Sequence, residues 1–210
     1  AIRTGEELAR FPWPRPEAFD YSLFRRVATY MPPGMRCIAI IGHIFVSALS
    51  LLSLEGLALA LATNPYLVEA TFERVGSIQY SVLDIVTRFD SVGAVWNPDD
   101  MASSRALMVS PAILERHVFP WYRRMAALSH ERGKPFIFHS DGDISQILED
   151  LVDAGVNAIH PLDPAAMEAG QIKRKYGSRL CLIGGINPHV LSQGAPEDVE
   201  REVRQKIRDL

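Results

Sequence analysis

Along this chain, short runs of apolar residues stop abruptly at polar clusters, and each is followed by a longer stretch in which apolar residues recur every three or four positions. The first pattern reads as strands buried on both faces, the second as amphipathic helices. Strands are predicted over 36–42, over Val92-Gly-Ala-Val-Trp96, over Phe136-Ile-Phe138 up to His139, over 156–160 and over 180–183. Helices are predicted over 21–31, where Pro32-Pro33-Gly34 breaks the pattern, and from Val46 to Glu55-Gly56. Another starts at Pro65, in the first-turn position, and runs to residue 88; Ser110-Pro111 opens the next, which Gly133 stops. Ile144, Ile147, Leu148, Leu151 and Val152 keep helical spacing after the third strand, and a last helix covers Val199 to Leu210. Phe11-Pro-Trp-Pro-Arg-Pro16 is too rich in proline for helix or central strand and reads as a surface strap.

Alternating strand and helix predicts a parallel sheet with crossover helices. Polar residues mark the end of strand after strand: Gly42-His43, Asp99-Asp100, His139-Ser-Asp141, His160 with Asp163, and Gly184-Gly185 with Asn187. An open doubly wound sheet gathers only the loops at its switch point, whereas a barrel brings every strand end to one face. The pattern therefore favours a (β/α)8 TIM barrel as a single domain over 1–210. A complete barrel takes ~250 residues, and helical spacing continues to Leu210. The barrel is expected to be incomplete at both ends in this chain.

Composition narrows the class. Of 210 residues, 48% are hydrophobic and 22% charged, enough for a sizeable core. The net charge of −3 and the shortness of the only basic run, Lys173-Arg174-Lys175, exclude a general nucleic-acid surface. No charged residue occurs from Cys37 to Leu54, a length that alone would suit a membrane span. Its internal grammar argues against one: β-branched Ile38, Ile40 and Ile41, then Gly42-His43, then a helix-prone stretch. The opening decapeptide mixes Arg3 and Arg10 with Glu6 and Glu7, unlike a signal peptide. Cys37 and Cys181 lie in apolar runs and are expected to be buried free thiols, which points to the cytoplasm.

The densest chemistry is His139-Ser-Asp141-Gly-Asp143. Alternate positions at a strand end face the same way, so His139 and Asp141 can converge on one metal ion or substrate group. Capping of the next helix competes as an explanation for the aspartates, most plainly for Asp143, but leaves His139 unexplained. Asp100 joins His139 and Asp141 as a candidate catalytic residue. His43, Trp96, Asp99, His160 and Asn187 are candidate substrate contacts at the same set of strand ends. Each has a plainer reading as well: an Asn-Pro-Asp-Asp turn needs no function, and a strand-end histidine can simply bond a loop. Trp13 and Trp121 read as packing residues, and His117, His130 and His189 as structural or surface ones.

The runs Asp99-Asp-Met-Ala-Ser-Ser-Arg-Ala-Leu-Met-Val-Ser-Pro111, His117-Val-Phe-Pro-Trp-Tyr122, Gly133-Lys-Pro-Phe-Ile-Phe-His-Ser-Asp-Gly142, Lys173-Arg-Lys-Tyr-Gly177 and Leu182-Ile-Gly-Gly-Ile186 resemble the uroporphyrinogen decarboxylase superfamily. They are most similar to its branch of corrinoid-dependent methyltransferases. The resemblance implies a (β/α)8 barrel with further elements on both sides of this region. It also implies methyl transfer between a small methylated substrate and cobalamin carried on a separate corrinoid protein. In that branch a His-x-Cys and a later cysteine bind zinc. His139 matches the histidine, but Asp141 stands at the cysteine position, and Cys181 lies in a different strand. Oxygen in place of thiolate weakens zinc selectivity and suits a methoxy substrate, so O-demethylation is expected, metal-assisted at His139 and Asp141. Where the family often has Gly-Gly-Ile-Asp, this chain has Gly184-Gly185-Ile186-Asn187. The resemblance also leaves a metal-free decarboxylase, for which only Arg105 stands near a strand-end cluster, and a catalytically silent barrel that acts as a binding module.

Overall fold

The computed structural model describes residues 1–210. Helix α1 (Gly5–Arg10) opens the chain under a Thr4–Glu7 capping box, and the proline strap follows as coil ending in a 3₁₀ turn at Pro16–Ala18. Then come α2 (Ser22–Tyr30), β1 (Cys37–Ile40), α3 (Phe45–Leu52), α4 (Leu54–Thr63), α5 (Pro65–Val86) and β2 (Val92–Pro98). After these come α6 (Pro111–His117), α7 (Phe119–Glu131), β3 (Phe136–His139), α8 (Leu148–Asp153), β4 (Ala158–His160), α9 (Ala169–Tyr176) and β5 (Cys181–Leu182). Helices α10 (Pro188–Gln193) and α11 (Pro196–Asp209) complete the order.

All strands are parallel and lie in sequence order, β1-β2-β3-β4-β5. With no reversal of order, right-handed crossovers all pass over the same face of the sheet. Burial shows the result. Ala39, Val95, Phe136, Phe138 and Ile159 face the helices and are buried, whereas Ile38 and Ile40 on the opposite face are 51% and 71% exposed. The register places Ile40 beside Trp96, Trp96 beside Ile137, and His139 beside His160, all on that second face. This is five successive strands of a barrel wall, with helices on its outer face.

Three local outcomes differ from the sequence pattern. The apolar helix expected from Val46 to Glu55-Gly56 is two helices meeting at 88°, because Ser53 takes a left-handed conformation (φ 65°) and caps α4 by accepting from the Gly56 amide. No single helix is long and apolar enough to cross a membrane. The helix expected over 111–133 breaks at Val118, since Pro120 has no amide hydrogen and its ring collides with the carbonyl four residues back. Neither cysteine is buried: Cys37 is half-buried, its thiol donating to the Ser91 carbonyl, and Cys181, opposite Ala158 on the face of the sheet away from the helices, is exposed.

Candidate metal and substrate site

The ends of β2, β3 and β4 meet at one mouth, and backbone bonds between their loops lock them. The Asp99 amide donates to the His139 carbonyl, and the Ser140 amide donates to that of His160. The buried Ser140 hydroxyl accepts from the Met101 amide at 2.9 Å. Beyond β2 the chain folds into a small antiparallel turn, Ala102 against Leu107, and Ser103 accepts the Asp143 amide. Gly142, at φ +82°, is required there: a Cβ would run into the Ser103 carbonyl. Asp143 spends its carboxylate on the Ser145 amide two residues on, a local Asx turn, while the N-cap position of the following 3₁₀ turn is held by Ile144 and not by the aspartate anticipated there.

On this scaffold Asp100, His139 and Asp141 each bring one ligand atom within 4.8 Å of the others. His139 Nε2 lies 3.6 Å from Asp100 Oδ1, and the Asp141 amide donates to the same oxygen at 3.0 Å. The other imidazole nitrogen of His139 shares a hydrogen bond with His160, Nδ1 to Nδ1 at 2.7 Å. The two rings stack with centroids 5.0 Å apart, and Trp96 packs against both, 5.9 Å from His139 and 4.6 Å from His160. Burial and the charge of His139 lower the pKa of His160, and Asp141 pulls it partly back. His160 is therefore placed to orient His139.

A cavity of about 390 Å³ adjoins this cluster, sharing Asp141 and running along Ser103, Ser104, Pro161 and Asp163. No lysine or arginine lines it. The strand pattern does not single out Ser103 or Ser104; their one signal is the composition of the loop after β2.

Three anticipated substrate contacts lie elsewhere. Asp99 is wholly buried beneath the mouth. Its Oδ2 accepts from the Ile44 and Phe45 amides and the Tyr122 hydroxyl, and its Oδ1 from the Val46 amide. It is the anion at the N-terminus of α3, with no atom left for substrate. Burial pushes its pKa up, against the pull of those four donors. Asn187 caps α10, accepting from the His189 amide, while its own amide donates to Glu202. His43 does not join the cluster and lines a separate cavity beside the proline strap.

The sequence profile of uroporphyrinogen decarboxylase (URO-D) matches residues 2–209. The chain belongs to the uroporphyrinogen decarboxylase family. Among solved structures, a methyltransferase from Methanosarcina mazei superposes with a TM-score of 0.75 at 16% identity, over 89% of this chain and 53% of that one. The chain thus spans about half the length of that protein, whose likeness shows the fold. No curated protein sequence matches. As a URO-D family member, the chain carries the barrel anticipated from its strand ends.

Proposed function

We propose that the protein is a methyltransferase that removes the methyl group of a small methylated, methoxy-aromatic substrate at Asp100, His139 and Asp141. The observation that carries this reading is one imidazole and two carboxylates converging at the barrel mouth beside a cavity without cationic residues. Two hard oxygens and one nitrogen fit a divalent ion that accepts oxygen ligands, zinc among them but not zinc above others. A metal held there would polarise the ether oxygen and stabilise the phenolate left when the methyl C–O bond breaks, while cob(I)alamin on a separate corrinoid protein would take up the methyl group.

The chain's own residues have definite work in this scheme. His160 holds the Nδ1 side of His139, so that Nε2 is turned toward Asp100. When His139 is the donor in that bond, its Nε2 lone pair is bare and free to ligate. Trp96 fixes both rings by packing and offers an apolar wall to an aromatic substrate. Ser104 supplies a hydroxyl in the adjoining cavity, while the Ser103 hydroxyl donates to the Ala106 carbonyl and holds the loop.

Metal-free decarboxylation is the second reading, supported by the family match. A polycarboxylate substrate needs basic partners, and the cavity at the mouth presents Asp141 and Asp163 instead.

Metal titration by calorimetry, paired with a spectroscopic assay for methyl transfer from methoxyarenes to cob(I)alamin, tests the proposal. About one divalent ion per chain is expected, lost in His139→Ala and bound about 10- to 100-fold more weakly in His160→Gln. Methyl transfer at an undiminished rate by metal-stripped protein would sink the metal's role. Turnover of uroporphyrinogen without methyl transfer would replace the reading.

A further inference from the structure

The proline strap and His43 take no part in the cluster at the mouth, yet the structure brings them together. Phe11, Trp13 and Pro14 close one side of a cavity of about 420 Å³, within the size range of small-molecule sites. Leu51 of α3 and Val75 and Ile78 of α5 form the opposite walls. The cavity shares no residue with the cluster of Asp100, His139 and Asp141.

Its walls are fastened from several directions. The Trp13 indole N–H donates to the Leu8 carbonyl at 3.0 Å, and the Phe11 ring meets that indole edge-on at 4.9 Å. Proline on either side of Trp13 stiffens the strap. On the floor, the absence of a side chain at Gly42 admits the Gln79 amide, whose Oε1 accepts the Gly42 amide hydrogen at 3.1 Å. This leaves Gln79 Nε2 free to donate. The Ser47 hydroxyl and the His43 imidazole stand at the same cavity, without a hydrogen-bond partner in the protein. No lysine, arginine, aspartate or glutamate lines it; the Arg74 guanidinium lies over the Trp13 ring at 5.5 Å.

We infer that this cavity is a second binding site, for an uncharged aromatic molecule bearing an oxygen acceptor, of the phenol or aryl-ether class. Apolar walls with two aromatic residues accept a ring, and an ionised ligand would forfeit hydration with no lysine or arginine in the lining to replace it. The donor on Gln79 pairs with the ligand's oxygen.

The probe is 2-naphthol; because O-demethylation at the mouth would itself release a phenol, the readout is placed at Trp13, which lines only this cavity. Binding is followed through the Trp13 indole N–H in ¹⁵N spectra, assigned by its loss in Trp13→Phe. Saturable binding that shifts this signal is expected, with 2-naphthoate and cyclohexanol weaker by about tenfold or more. Gln79→Leu should weaken binding about three- to tenfold, the loss that one hydrogen bond carries. Ser47→Trp, which fills the cavity from α3, should abolish it while the far-ultraviolet spectrum and unfolding midpoint stay native. Asp141→Ala should bind 2-naphthol as the wild type does. An unmoved Trp13 signal at saturating probe overturns the inference. So does wild-type affinity in a folded Ser47→Trp, equal binding of naphthoate or cyclohexanol, or loss of binding in Asp141→Ala.

Discussion

Asp99 and Asp100 are adjacent, chemically identical and opposite in fate. One faces inward and is wholly buried among four donors, and the other stands at the mouth beside His139. A buried carboxylate is tolerable only when its lone pairs are filled, and Tyr122 on α7 supplies the one side-chain donor at 2.6 Å. Tyr122→Phe keeps the ring among Phe119, Phe136 and Phe138 and removes only the hydroxyl. The expected cost is about 1.5–3 kcal/mol, the range for a hydrogen bond to a charged group. Urea unfolding reads it, and hydrogen exchange at the Ile44, Phe45 and Val46 amides should quicken in the same variant. A loss under ~0.5 kcal/mol, with exchange unchanged, would mean that the three amides alone satisfy Asp99. Nothing in the string Asn97-Pro-Asp-Asp distinguishes the two aspartates, because the turn that sends one inside is fixed by where α3 begins.

Elements pack through contacts that sequence spacing foretells only in part. Helix α5 was legible from Pro65 at its start and from the apolar recurrence along its length. The close approach of α7 was not. Gly76 lies buried on α5, and a Cβ there would enter the Trp121 ring, which also carries Arg124 at 4.2 Å on its face. Gly76→Ala gains about 1 kcal/mol of helix propensity on an isolated helix. Here overpacking against a ring already held by Arg124 should outweigh it, for a net loss of about 1–2 kcal/mol. Thermal or urea unfolding decides, and a stabilised variant would show that α5 and α7 have room to part. The strands were legible for a simpler reason: an apolar run ending in a polar cluster is what burial on both faces followed by a solvent-facing loop requires. His139 and Asp141 were legible because two residues at alternate positions of one strand end are a local relation. The role of His160 was not, since its bond to His139 depends on the β3–β4 register, which no single segment encodes.

At the scale of the molecule, the sequential strand order decides which side chains are free. Helices cover one face of the sheet, while the other presents Ile38, Ile40, Trp96, His139 and His160 together. In a closed barrel this face would be the packed interior, where replacing isoleucine by a smaller polar residue costs several kcal/mol. In this chain Ile40 is 71% exposed and Ile38 51%, so burial contributes little at either position. The double variant Ile38→Thr/Ile40→Thr keeps β-branching, and therefore strand propensity, while removing exposed apolar surface. Its unfolding free energy should stay within about 0.5 kcal/mol of the parent per site, as surface substitutions do. Self-association in sedimentation, and the binding of a hydrophobic dye, should both fall, because a contiguous apolar patch beside an unpaired strand edge is what drives each. A loss above ~2 kcal/mol per site would show that the face is covered in solution and that the barrel interior closes around Ile38 and Ile40. The same measurement bears on the site, because Trp96, His139 and His160 share that face. If it is open, water reaches the imidazole pair from the barrel side and any ligand at the mouth stays hydrated there; if it is covered, the pair works in the dry interior that strengthens its hydrogen bond.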